Sequence, residues 1–168
     1  MGLESYLLYA SFKKPVSQTE IKNVIENAGA KYLAAKSNID PIDTYRHFYF
    51  EIRSDLGLTE LEVLLSPGKS KVTSFSLRFS ILSPSTVIDQ TFSFLNKLKT
   101  STSIKVFDAD NNSKELNLNA DEFKLNKDKV RKRQIVVNNK TGLVIEGRSA
   151  TTNYIHDNNL MDKIWGQH

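Results

Sequence analysis

The residues whose types and spacing come closest to chemistry are carboxylates beside a lysine. Glu122-Phe123-Lys124, with Asp108 or Asp110 upstream, matches the loose pattern in which an Asp and a Glu hold Mg²⁺ next to a Lys. That pattern belongs to metal-dependent hydrolases and nucleases. The same acid falls in the first turn of an expected helix, where the helix dipole accounts for it. Asp108-Ala109-Asp110-Asn111-Asn112 begins like a calcium loop. Ser113 then takes the position of the required glycine and Asn119 that of the bidentate glutamate, so the segment reads as a polar, turn-rich loop.

Other catalytic patterns fail sooner. The three histidines, His47, His156 and His168, include no i, i+4 pair and no His-Glu-x-x-His. There is no cysteine, hence no thiolate-held metal and no disulfide. No Gly-x-Ser-x-Gly elbow occurs, and Gly147-Arg148-Ser149 reads as turn chemistry. No glycine loop suited to phosphate is present. No cofactor, no metal and no catalytic residue is therefore assigned, and the balance favours a non-enzyme.

Two groups of residues remain as candidates for binding a partner. Between Lys124 and Arg133 stand Lys124, Lys127, Lys129, Arg131, Lys132 and Arg133, opposed by Asp128. That stretch carries +5 of a net charge of +4, so the rest of the chain sums to −1. It suits the phosphates of a nucleic acid, or it completes the dipole of a helix that starts with Asp121 and Glu122. Phe123 is the one aromatic nearby that could stack a base. The second group is Tyr9, Tyr45 and Tyr49. Strand alternation puts them opposite the apolar positions, where a sheet presents tyrosine to a partner.

Positioning these residues requires a folded scaffold, and the composition supplies one. In 168 residues, 39 % are hydrophobic and 25 % charged, as in an ordinary globular domain. The longest apolar run, Tyr6 to Ala10, is far short of the roughly 20 residues that span a bilayer, so no membrane partner is expected. The N-terminal residues lack a basic, then apolar, leader pattern, and a cytoplasmic location is the default.

Alternation predicts strands at Ser5 to Lys13 (ended by Pro15), Arg46 to Arg53, Leu61 to Leu65, Val72 to Leu82 and Ile104 to Phe107. Ala30 to Thr44 fits strand or helix. Ser17-Gln18-Thr19-Glu20 is a capping box. Ile21, Val24, Ile25 and Ala28 follow as one stripe, and Gly29 is a plausible stop, giving a helix over Gln18 to Ala28. Ser83-Pro84 opens a second helix with the stripe Val87, Ile88, Thr91, Phe92, Leu95 and Leu98. Asn119 caps a third. Ile135 to Val137 and Leu143 to Ile145 flank a five-residue loop containing Gly142 and read as a hairpin. A short helix fits 155–165.

The expected fold class is α+β, with an antiparallel or mixed sheet and two to three helices packed on one face. A ferredoxin-like core plus a C-terminal hairpin is one version. Residues 1–168 are read as a single domain, in which 119–168 could form a C-terminal appendage of basic helix plus hairpin. The favoured function is a non-enzymatic protein-interaction module of the immunity or adaptor type, with another protein as partner. The alternatives are a nucleic-acid-binding protein using segment 124–133 and a metal-dependent hydrolase or nuclease.

Overall fold

A computed structural model describes residues 5–37, 46–54, 57–65, 70–81, 83, 86–109 and 114–141. Seven strands form one sheet: β1 (Ser5–Ser17), β2 (Lys31–Ser37), β3 (Arg46–Ser54), β4 (Gly57–Leu65), β5 (Lys71–Ser80), β6 (Ile104–Asp108) and β7 (Lys114–Leu116). Three helices accompany them: α1 (Gln18–Asn27), α2 (Val87–Ser101) and α3 (Ala120–Thr141). The strand order is β2-β3-β4-β5-β1-β6-β7, and every neighbouring pair is antiparallel. The fold is thus α+β.

The alternation seen in the sequence sorts the sheet into two faces. Tyr6, Leu8 and Ala10 of β1 align with Phe79, Leu77 and Phe75 of β5, and all of these, with Phe12, are buried. Leu61 and Val63 of β4 extend the same rows. Helix α2 covers this face with Val87, Ile88, Thr91, Phe92, Leu95 and Leu98, all buried. Burying each large aliphatic or aromatic side chain stabilises the fold by about 1.5–3 kcal/mol. Helix α1 adds Ile21 and Ile25. Ser17 accepts a hydrogen bond from the Glu20 amide at 3.2 Å, and Gly29 holds a φ of +111° just past the helix end. A second glycine is forced by packing: at Gly57 (φ +141°) an added Cβ would lie 2.9 Å from Val87 Cβ.

Several expectations need correction. Pro15 does not end β1. The ladder shifts register between Ser11 and Val16, and Val16 pairs again with Val72. Pro15 falls within that irregularity, where its missing N–H breaks no regular rung. The ambiguous segment after Gly29 contributes β2, paired with β3. Helix α2 starts at Val87 rather than beside Ser83. Its N-cap is Thr86, which makes no side-chain capping bond. The polar stretch after Asp108 contains β7, three residues paired with β6.

The first half of the expected hairpin is helical. Ile135, Val136 and Val137 continue α3, because Val130 and Val137 lie two turns apart on one helix side and both enter the core. Residues 143–145 and 155–165 lie outside the described residues. The sheet has seven strands where a minimal ferredoxin-like core has four. The two strands joined by α1, β1 and β2, stand with β3, β4 and β5 between them, and β7 widens the other edge. The apolar runs at 46–54 and 57–65 insert a further hairpin into the meander.

Candidate functional site

The three described helices sit on one face of the sheet, and none of them covers the other. The register assigns its residues in rows. One row crosses six strands: Tyr49, Glu62, Ser76, Tyr9, Phe107 and Glu115. A second runs through Glu51, Glu60, Arg78 and Leu7. All of these side chains are exposed or half-buried. An antiparallel sheet tolerates this when one face alone packs on the core. Tyr9 is 44 % exposed and Leu33, at the irregular rung of β2, is 50 % exposed, which is unusual for side chains of their size.

The open face is not flat. A hollow of about 450 Å³ lies over Leu7, Tyr9, Ser74 and Ser76, walled by Glu62 and Arg78. A smaller one of about 60 Å³ lies on the other side of that wall, between Leu33, Tyr49 and Glu60. The small side chains of Ser74 and Ser76 on β5 leave the room, and Tyr9, opposite Ser76, borders it. Arg78 Nε donates to Glu60 Oε2 at 2.8 Å, and Arg53 pairs with Glu51 at 3.1 Å. These pairs offset the cost of placing Glu51 directly across from Glu60. Exposed ion pairs of this kind contribute about 0–1 kcal/mol each.

Tyr49 donates to Glu62 Oε1 at 3.4 Å. Partial burial, then the Glu62 charge, push its phenol above the ordinary tyrosine value, against a weaker pull from Arg78. The phenol is therefore neutral at physiological pH and serves as a hydrogen-bond donor. The groups gathered here are hydroxyls, a guanidinium and ion-paired carboxylates. They are suited to holding a surface by hydrogen bonds and ring contacts.

The cations singled out from the sequence divide by helix side. Lys127 Nζ lies 3.0 and 2.9 Å from the two Asp89 oxygens and 5.4 Å from the Phe123 ring. Lys129 Nζ donates to Asp108 Oδ2 at 2.6 Å. The Arg133 guanidinium sits over the Tyr6 ring at 5.7 Å. These three fasten α3 to the rest of the protein. Arg131 and Lys132 point outward with Lys124 and are exposed. Tyr9 and Tyr49 share the open face, and Tyr45 lies outside the described residues.

Sequence reasoning missed the buried polar node beneath α3. Asp108 is fully buried at the end of β6. Its Oδ2 takes Lys129 and stands 3.0 Å from Tyr6 Oη, which is also 2.5 Å from Asn126 Oδ1. Asn126 Nδ2 in turn donates to the Glu122 carbonyl at 2.7 Å. The participants come from β1, β6 and α3, far apart in the chain, so no local spacing signals them. Asp108 thus faces the helix layer as an ion-paired anchor rather than opening a cation loop. Asp110, Asn111 and Asn112 lie outside the described residues.

Glu122 is drawn into the same seam. Its amide donates to the capping Asn119 Oδ1 at 2.9 Å, and its carboxylate accepts from Lys114 Nζ at 2.9 Å. Lys124 points to solvent. Among the described residues, no group of three or more His, Asp or Glu side chains is arranged to hold a metal ion. His47 lies on β3 opposite Leu64, while His156, His168 and Gly147-Arg148-Ser149 fall outside the described residues. Comparison with protein-family models, curated proteins and solved structures finds no match to this chain.

Proposed function

We propose that this chain works by binding another protein, in the manner of an immunity or adaptor protein, and that the open face of the sheet is its contact surface. The observation that carries the reading is the exposure of Tyr9, Leu33 and Arg78, beside half-buried Tyr49, on the face that no described helix covers. Tyrosine and arginine are the residues most often found to dominate binding energy, because each offers a large contact area with a polar end. Size supports the same reading. Seven strands at about 4.8 Å spacing span about 29 Å, and a nine-residue strand is about 30 Å long. Their product, about 900 Å², matches the roughly 800 Å² that one partner contributes to a standard interface. The ion pairs Glu60–Arg78 and Glu51–Arg53 give the surface a polar pattern that a partner must complement.

The test is chemical cross-linking in the native cell, followed by affinity measurement on the purified pair. Tyr9→Asp with Arg78→Glu is expected to weaken binding by about a hundredfold or more. Arg131→Ala with Lys132→Ala is expected to leave it unchanged. A partner indifferent to the Tyr9 and Arg78 changes would sink the proposal. So would recovery of nucleic acid alone, released by salt and lost in the Arg131/Lys132 variant, which would move the function to the basic helix. Nuclease or hydrolase activity abolished by Glu122→Gln would replace binding with catalysis.

A further inference from the structure

Helix α3 has a second exposed surface that its own docking does not use. Arg131, Lys132, Ile135, Val136, Asn139 and Lys140 all face solvent. They fall as three adjacent pairs, each four residues after the last, so they occupy one side of the helix over three successive turns. Ile135 is 57 % exposed and Val136 47 %. No acid occurs between Lys129 and Lys140, so the only charges on the strip are positive. Two turns further back, beyond exposed Asp128, Leu125 (47 % exposed) stands beside exposed Lys124 on the same side.

Helix propensity and solubility account for neither feature. β-branched residues are poor choices for an exposed helix position, and a purely solvating face would use polar ones. The inner side of the helix explains Val137, which is buried, but not its two neighbours.

We propose that this strip is a peripheral docking surface for an anionic lipid bilayer. A convex row of aliphatic side chains flanked by lysine and arginine meets a planar, negatively charged surface all at once. The aliphatic tips enter the boundary below the headgroups while the cations stay at headgroup level. Nucleic acid would use the cations but gives no role to Ile135 and Val136, and the strip has no aromatic ring to stack bases. The absence of a spanning run, which set the expectation of no membrane partner, concerns insertion and not surface contact. With three cations and two aliphatic side chains at its centre, the association is weak, reversible and lost at high salt. It does not depend on the open sheet face.

The test is co-sedimentation of the full chain with vesicles of phosphatidylcholine alone and of phosphatidylcholine mixed with phosphatidylserine. Binding is expected to the mixed vesicles only, and to fall as salt rises. Arg131→Glu with Lys132→Glu should reduce it by about tenfold or more. Ile135→Ser with Val136→Ser should reduce it several-fold, with circular dichroism and melting unchanged in both variants. Failure to bind the mixed vesicles overturns the proposal, as does binding that ignores either pair of substitutions. Capture of a duplex oligonucleotide with the same charge dependence, in place of vesicles, assigns the strip to nucleic acid instead. Tyr9→Asp with Arg78→Glu should bind vesicles like the parent chain, so this result and the protein-partner reading stand or fall separately.

Discussion

Helix α2 meets the sheet through Val87, Ile88, Phe92, Phe94, Leu95 and Leu98, each at most 4 % exposed. Helix α3, on the same side, buries Val130 and Val137, sets the Phe123 ring edge-on to Phe92, and adds a set of polar contacts: Asn126 and Tyr6, Lys129 and Asp108, Lys127 and Asp89, and Gln134 donating to the Ser83 carbonyl. The two helices are therefore held by different physics. Apolar packing is non-directional and degrades gradually as atoms are removed. A polar node depends on every partner, since a buried group left alone keeps its desolvation cost without its bond. The α2 layer acts as the bulk of the core, and the α3 seam acts as a fastener whose parts must all be present.

Substitutions on the two sides measure that difference. Leu95→Ala should cost about 3–4 kcal/mol, the range for a fully buried leucine, and lower the stability of the whole protein as one unit. Urea unfolding would report it as a shifted midpoint. Asp108→Ala should cost less, about 2–3 kcal/mol, because Lys129 is one-third exposed and can turn to water while Tyr6 cannot. Its signature is local. Amide exchange should rise along α3 and stay unchanged in α2. If exchange rises equally in both helices, the seam is no separate unit and the comparison fails.

The open face provides a reference that neither helix touches. The Tyr49 phenol, held above its unfolded value, favours the folded state while it is protonated. That contribution is present below the unfolded tyrosine value near 10 and is lost as pH rises through the higher folded value. Ultraviolet titration should show one tyrosine ionising late, and Tyr49→Phe should remove that component. Glu62→Gln should bring it earlier. A late component that survives Tyr49→Phe would assign the shift to another tyrosine.

The same contrast explains which parts of the structure the sequence disclosed. Strands with one buried face announce themselves by alternation, as in Phe75, Leu77 and Phe79 against Ser74, Ser76 and Arg78. Helix α1 carried its own start and stop in Ser17 and Gly29, and α2 its apolar stripe. Helix α3 hid its length because its inner side is built of Asn126, Lys127, Lys129, Arg133 and Gln134, which read as solvent-facing residues. Three β-branched residues, Ile135 to Val137, then imitated a strand. Strand β7 is three residues inside an asparagine-rich stretch, too short for a period to show. Alternation also puts Tyr9 and Tyr49 on one face, where the register has them. It could not separate inward cations from outward ones, because Lys129 and Asp108 meet only once the sheet has brought β6 beneath α3.

The position of β1 sets an order on how this chain can assemble. It precedes the other six described strands in the chain, yet it lies between β5 and β6, and Leu8 finds its rungs in Leu77 on one flank and Asp108 on the other. Strands β2, β3 and β4 form successive antiparallel neighbours and can zip as soon as they leave the ribosome. During synthesis β1 must wait with both edges open until the distant strands arrive, a long-range closure that slows folding and leaves a sticky segment unguarded. Until β6 has been made, one edge of β1 therefore has no partner to close it.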